Sequence, residues 1–81
     1  MKNELIFELL EQLIQDQKTK LLKTARRIVP HVTSDDILQP NDFPALELHP
    51  HFRYEEGILD GLQVAQTALL ALMRETVENS K

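Results

Sequence analysis

All four prolines of this 81-residue chain, at positions 30, 40, 44 and 50, fall within one 21-residue stretch. That placement constrains the fold more than any other feature, because a helix interior cannot hold a residue that lacks a backbone N–H and clashes with the preceding turn. From Asn3 to Val29 the chain has neither Gly nor Pro and is rich in Leu, Glu, Gln and Lys, and Pro30 then blocks continuation. The pattern predicts a first helix over about 3–29, roughly 40 Å long. Proline is absent again after Pro50, and Ile, Leu, Val and Ala recur at helical spacing, which predicts a second helix over about 51–78. Glu55 and Glu56 are expected at its N-terminus, where carboxylates offset the helix dipole. No strand pattern, internal repeat or low-complexity tract competes with this reading.

The expected fold is therefore all-α: a single small helical domain over 1–81, with two long helices joined by an ordered Pro-rich connector over 30–50. Within the connector, Thr33 or Ser34 can cap a short helical turn through Asp35, Asp36, Ile37 and Leu38, ended by Pro40, and Asn41–Pro44 reads as a turn. Helix joins usually take about 2–8 residues, so a connector this long must be anchored. Phe43, Leu46 and Leu48 are the expected anchors. The two helices are expected to lie antiparallel, as a hairpin.

Successive residues turn by about 100° around a helix, which sets Phe7, Leu10, Ile14, Leu21, Ala25 and Ile28 on one side of the first helix. Gln17 and Thr24 share this seam and make it less apolar toward its middle. Leu5 and Leu9 fall well off it, near the side that Lys20, Lys23 and Arg27 occupy further along, and so suggest a second contact surface. On the second helix Ile58, Leu62, Ala65, Leu69 and Leu72 form a stripe, widened on one flank by Leu59, Leu70, Met73 and Val77 and on the other by Gly57, Gly61, Ala68 and Ala71. Its polar residues Glu56, Asp60, Gln63, Thr67, Arg74 and Glu78 gather in a narrow wedge, which leaves most of the circumference apolar or small.

One neighbouring helix cannot cover that circumference. A chain with only two long helices must take the other walls from elsewhere, so a homodimer is expected, two hairpins forming a four-helix bundle. Ile58, Gly61, Leu62, Ala65, Leu69 and Leu72 are the expected dimer or core packing residues, the glycines permitting close approach. Size points the same way, because an 81-residue monomer buries only roughly 63% of its unfolded surface.

Chemistry offers less. The absence of cysteine excludes disulfides, thiolate metal sites and cysteine nucleophiles. No Gly-rich phosphate loop or nucleophile turn surrounds Thr33, Ser34 or Ser80. His49, His51, Glu55, Glu56 and Asp60 form one acidic and imidazole cluster, with His51 and Glu55 spaced to share a helix face. A small metal-binding protein or metal-dependent enzyme using them is therefore an alternative, although the Glu-x-x-His motif of di-metal bundles is missing. Charge lies in blocks: −3 over residues 1–16, +5 over 17–31, −6 over 32–60 and zero over 61–81. Lys18, Lys20, Lys23, Arg26 and Arg27 raise a nucleic-acid accessory role as a further alternative. Dipole compensation at a helix C-terminus and the net charge of −4 weigh against it.

Phe43, Phe52, Arg53 and Tyr54 have the composition of a partner surface. The aromatics could equally close the bundle's end, with Arg53 paired to a connector acid such as Asp42. No secretion signal or membrane span is read, the longest uncharged stretch being the 13 residues from Gly61 to Met73, so a cytoplasmic location is expected. The leading expectation is a non-enzymatic helical interaction or structural module, homodimeric, with no cofactor and an unidentified protein partner.

Overall fold

The computed structural model describes residues 3–79, with side chains over 4–75. Val77 and Glu78, assigned above to faces of the second helix, and Ser80 thus lie outside the described side chains. Every element among the described residues is helical: α1 spans Asn3–Ile28, two 3₁₀ turns cover Asp36–Leu38 and Pro40–Asp42, α2 is the four-residue helix Pro44–Glu47, and α3 spans Pro50–Asn79. The long helices begin and end within a residue of the positions expected from the prolines. They run antiparallel, since Gln17 meets Glu55 while Gln66, further along α3, meets Glu11, nearer the start of α1.

The connector carries more structure than a single turn. Thr33 and Asp36 cap the first 3₁₀ turn reciprocally: the Thr33 N–H donates to Asp36 Oδ2 at 2.9 Å and the Asp36 N–H to Thr33 Oγ1 at 3.3 Å. Pro40 does not merely end that turn. It opens the second one and is itself buried, while Pro44 and Pro50 open α2 and α3, where a missing N–H costs nothing. Three of the prolines that forbid a long helix across 30–50 therefore start two short steps and one long helix.

The main core lies at the connector end. Leu21 and Ala25 of α1, Val32 and Leu46 of the connector and Phe52 of α3 are all at most 2% exposed, and Ile28, Val29, Ile37, Phe43 and Leu59 pack around them. Two of the three expected anchors hold: Leu46 is fully buried and Phe43 half-buried, but Leu48 is 79% exposed. Val32 takes the place assigned to Leu48. Arg26 ties the connector's first bend to α1 by donating from Nε to the Val32 carbonyl at 3.1 Å. Beyond this core the hairpin continues as two helices alone, with Leu10 and Ile14 buried on α1, and the molecule measures 52 × 20 × 19 Å.

Candidate functional site

Between the main core and the open end, the seam turns polar. Gln17, Thr24 and Glu55 are buried, Glu55 at only 2% exposure. Gln17 Nε2 donates to the Glu55 backbone carbonyl at 2.9 Å and reaches its carboxylate at 3.4 Å, and the Thr24 hydroxyl donates to the other carboxylate oxygen at 3.2 Å. From the rim, Lys20 Nζ lies 3.9 Å from Oε2 and His51 Nε2 3.7 Å from Oε1. The two polar interruptions of the α1 seam thus exist to meet one acid on α3. Because α3 starts at Pro50, Glu55 sits more than a turn inside it and is not the dipole-compensating residue expected from the sequence.

The His and Glu cluster does not converge further. Glu56 turns away to pair with Arg53, Oε1 to Nη1 at 3.0 Å, so Arg53 is bound by its own helix rather than by Asp42. Among the described residues no group of three or more His, Asp or Glu side chains stands as a metal site would require. His49 Nδ1 is buried without a hydrogen-bond partner. Of the basic residues of α1, Arg26 is bound to the connector and Lys18 borders a cleft on another side of the hairpin, while Lys20, which reaches Glu55, Lys23 and Arg27 remain exposed on one side.

The two long sides of the hairpin differ in character. On one, Gln15, Lys18, Glu56, Asp60 and Gln63 edge a cleft of about 510 Å³ whose floor is Leu21, Leu22, Ile37 and Leu59. Nearby, the Glu11 carboxylate accepts from Gln15 at 2.7 Å and from Gln66 at 2.9 Å. Those two bonds, with the weaker pull of Lys18, hold its pKa below the ordinary carboxylate value against a small opposing effect of desolvation.

The other side is apolar. On α3 the positions Gly57, Ile58, Gly61, Val64, Ala65 and Ala68 are all exposed and uncharged, bordered by the exposed Asp60, which lines a shallow groove with Val64, Thr67, Ala68 and Ala71. Leu62 and Leu69 are half-buried at the margin with α1, and Leu72 is 56% exposed. Of the six expected packing residues, then, Leu62 and Leu69 line the hairpin seam, while Ile58, Gly61, Ala65 and Leu72 are on the outer face. Across the seam, α1 continues the surface with Ile6, Leu9 and Leu13, which are 42%, 62% and 43% exposed, and Leu5 adds to it at 55%.

A Cβ built on Gly57 or Gly61 meets nothing within 4 Å, so nothing inside one chain requires glycine at either position. Each costs a helix about 1 kcal/mol relative to alanine. The residues named above as a partner surface divide: Phe52 is wholly buried and Phe43 packs against the same core, closing the hairpin's connector end, whereas Arg53 stays half exposed and Tyr54, 68% exposed, extends the apolar face toward the connector.

Sequence periodicity signalled the apolar face but not the Glu55 network, whose only trace was Gln17 and Thr24 standing where the seam called for Leu. Among the described residues no helix is long and apolar enough to cross a membrane. No protein-family model matches the chain, and neither the curated proteins nor the solved structures include a significant match to it.

Proposed function

We propose that this chain is a non-enzymatic helical interaction or structural module that works as a homodimer, two hairpins packing through their apolar faces into a four-helix bundle. The observation that carries this reading is the exposed arc of apolar and small residues on α3, Gly57, Ile58, Gly61, Val64, Ala65 and Ala68, bordered by Asp60 and continued across the seam by Ile6, Leu9 and Leu13.

Two magnitudes support a second copy as the occupant. The chain exposes 6038 Å², whereas a compact monomer of its mass is expected to expose about 5,000 Å². The surplus, on the order of 1,000 Å², resembles the ~800 Å² each partner contributes to a standard interface. The Cα radius of gyration is 16.0 Å, against about 12 Å for a compact chain of this length and about 15 Å for one twice as long. A hairpin with the dimensions of half a bundle, and glycines with no intrachain reason, fits association better than solitary existence.

Sedimentation equilibrium from 1 to 100 µM tests it. The expected result is twice the 9.4 kDa of one chain, with Ala65→Asp returning a helical species of single mass, since a charge at that exposed position is tolerated by the hairpin but not by a buried interface. A wild-type chain that stays at single mass throughout with full helicity overturns the proposal.

A further inference from the structure

We infer that the two copies pack antiparallel, the connector end of each lying beside the open end of the other; this rests on the homodimer reading above. The argument is the layout of charge along the apolar side. Stepping 100° per residue puts Lys20 and Arg27 on the same side of α1 as Leu9 and Leu13, and all four are exposed. His51 stands at the same end on α3, 3.7 Å from Glu55. The ionisable groups bordering the face at the connector end are thus basic, apart from the buried Glu55; Asp16, exposed and one turn before Lys20 on the same side of α1, is the acid next to them, and beyond it toward the open end the face carries apolar or small side chains as far as Glu75.

In a parallel dimer the two-fold axis runs along the helices, so each residue lies level with its own counterpart, and Lys20 and Arg27 of both copies meet at one end, as do the two copies of Asp16. Helices in contact lie about 8–10 Å apart, within the ~8 Å screening length of physiological salt once long side chains reach inward. Like charges would face each other across an interface that excludes water. In an antiparallel dimer the axis crosses the helices near Ala65, the middle of the apolar face. Glu55 and Lys20 are in contact, so Lys20 lies about ten residues of α3 from that axis, and the two copies of Lys20 separate by roughly 30 Å, well beyond screening. The same offset brings Lys20 level with the partner's Glu75, an acid that is exposed on the single chain. Both arrangements bury the apolar centre, but only the antiparallel one keeps the basic ends apart.

The full chain contains no cysteine, so single cysteines carry unique nitroxide labels for distance measurement by double electron–electron resonance. Asn41→Cys marks the connector end and Glu8→Cys the open end, both exposed and away from the proposed interface. Antiparallel packing about Ala65 predicts an Asn41 label pair separated by about 45 Å or more and a Glu8 pair within about 30 Å, from helix rise and bundle width. Short distances at both sites would establish the parallel arrangement and overturn the inference while leaving the homodimer intact. A long Glu8 distance with a short Asn41 distance would equally overturn it, by placing contact at the connector end. No intermolecular dipolar signal from either label would remove the dimer itself, and the inference with it.

Discussion

Replacing Gln17 by Leu is the most informative perturbation of the fold, because the polar network makes an asymmetric prediction. The substitution keeps side-chain bulk but removes the 2.9 Å bond to the Glu55 carbonyl and the 3.4 Å contact with its carboxylate. The acid remains, 2% exposed, with Thr24 as its one buried side-chain donor. Hydrogen bonds to charged groups contribute about 1.5–3 kcal/mol, and leaving a buried acceptor short of donors carries its desolvation cost, so a loss of about 2–3 kcal/mol is expected. For a domain of this size that lowers Tm by roughly 8–24 °C.

Glu55→Met removes the acid instead. Gln17 still has the position-55 backbone carbonyl as acceptor, the Thr24 hydroxyl can turn to the backbone carbonyl one helical turn earlier, and no carboxylate need be desolvated. The expected change is within about 1 kcal/mol. Thr24→Val, costing about 1.5 kcal/mol in the wild-type chain, should become nearly silent in the Glu55→Met background. Urea denaturation followed by circular dichroism at one fixed protein concentration measures all four variants, fixed because association makes stability concentration-dependent. If Glu55→Met costs as much as Gln17→Leu, or the Thr24 effect persists without the acid, the network does not hold the hairpin in the way described.

Other consequences are open to direct measurement. Phe52→Ala empties a fully buried site and should cost about 3–5 kcal/mol, enough to unfold most of a marginal domain in a thermal melt, whereas Leu48→Ser, at a 79% exposed position, should stay within about 0.5 kcal/mol. Thr33→Ala breaks the reciprocal cap with Asp36 and should cost about 1 kcal/mol in the same melt. Gly61→Ala should raise the helical stability of the dissociated chain by about 1 kcal/mol yet shift dimer dissociation to higher protein concentration in sedimentation, and an unchanged dissociation constant would argue against close approach there. Glu11 has a lowered folded-state pKa, so its contribution to stability is present above the ordinary carboxylate pKa and is lost as pH falls through the folded value. Gln66→Ala, removing one of its two donors, should move the Glu11 titration upward in an NMR pH series.

Helix positions were legible because four prolines set their limits, and the seam residues Leu10, Ile14, Leu21 and Ala25 were legible because heptad-like spacing has no other use. The connector was only partly so. Proline at the first position of a helix and proline that ends one look alike in sequence, and the difference at Pro40 and Pro44 is decided by which neighbouring side chains pack into the core. Leu46 and Leu48 are indistinguishable by composition, but α2 is one turn long and can point only one of them inward. Glu55 was hidden for a related reason: an acid near a helix start has a ready local explanation, and its buried partners lie 31 and 38 residues away. The outer face of α3 was anticipated from its own circumference, which needs no knowledge of distant contacts.

The concentration of packing at the connector end has a kinetic corollary for the backbone. Amide protons of α1 around Leu21–Ala25 and of α3 around Phe52–Glu55 can exchange with solvent only when the whole core opens, whereas those toward Leu9 and Leu70 are released by partial unzipping of two helices held there by fewer buried side chains. In dilute solution deuterium uptake should therefore run as a gradient from the open tip inward. Raising protein concentration should flatten that gradient from the tip, because a second copy would seal the end that one chain leaves unguarded.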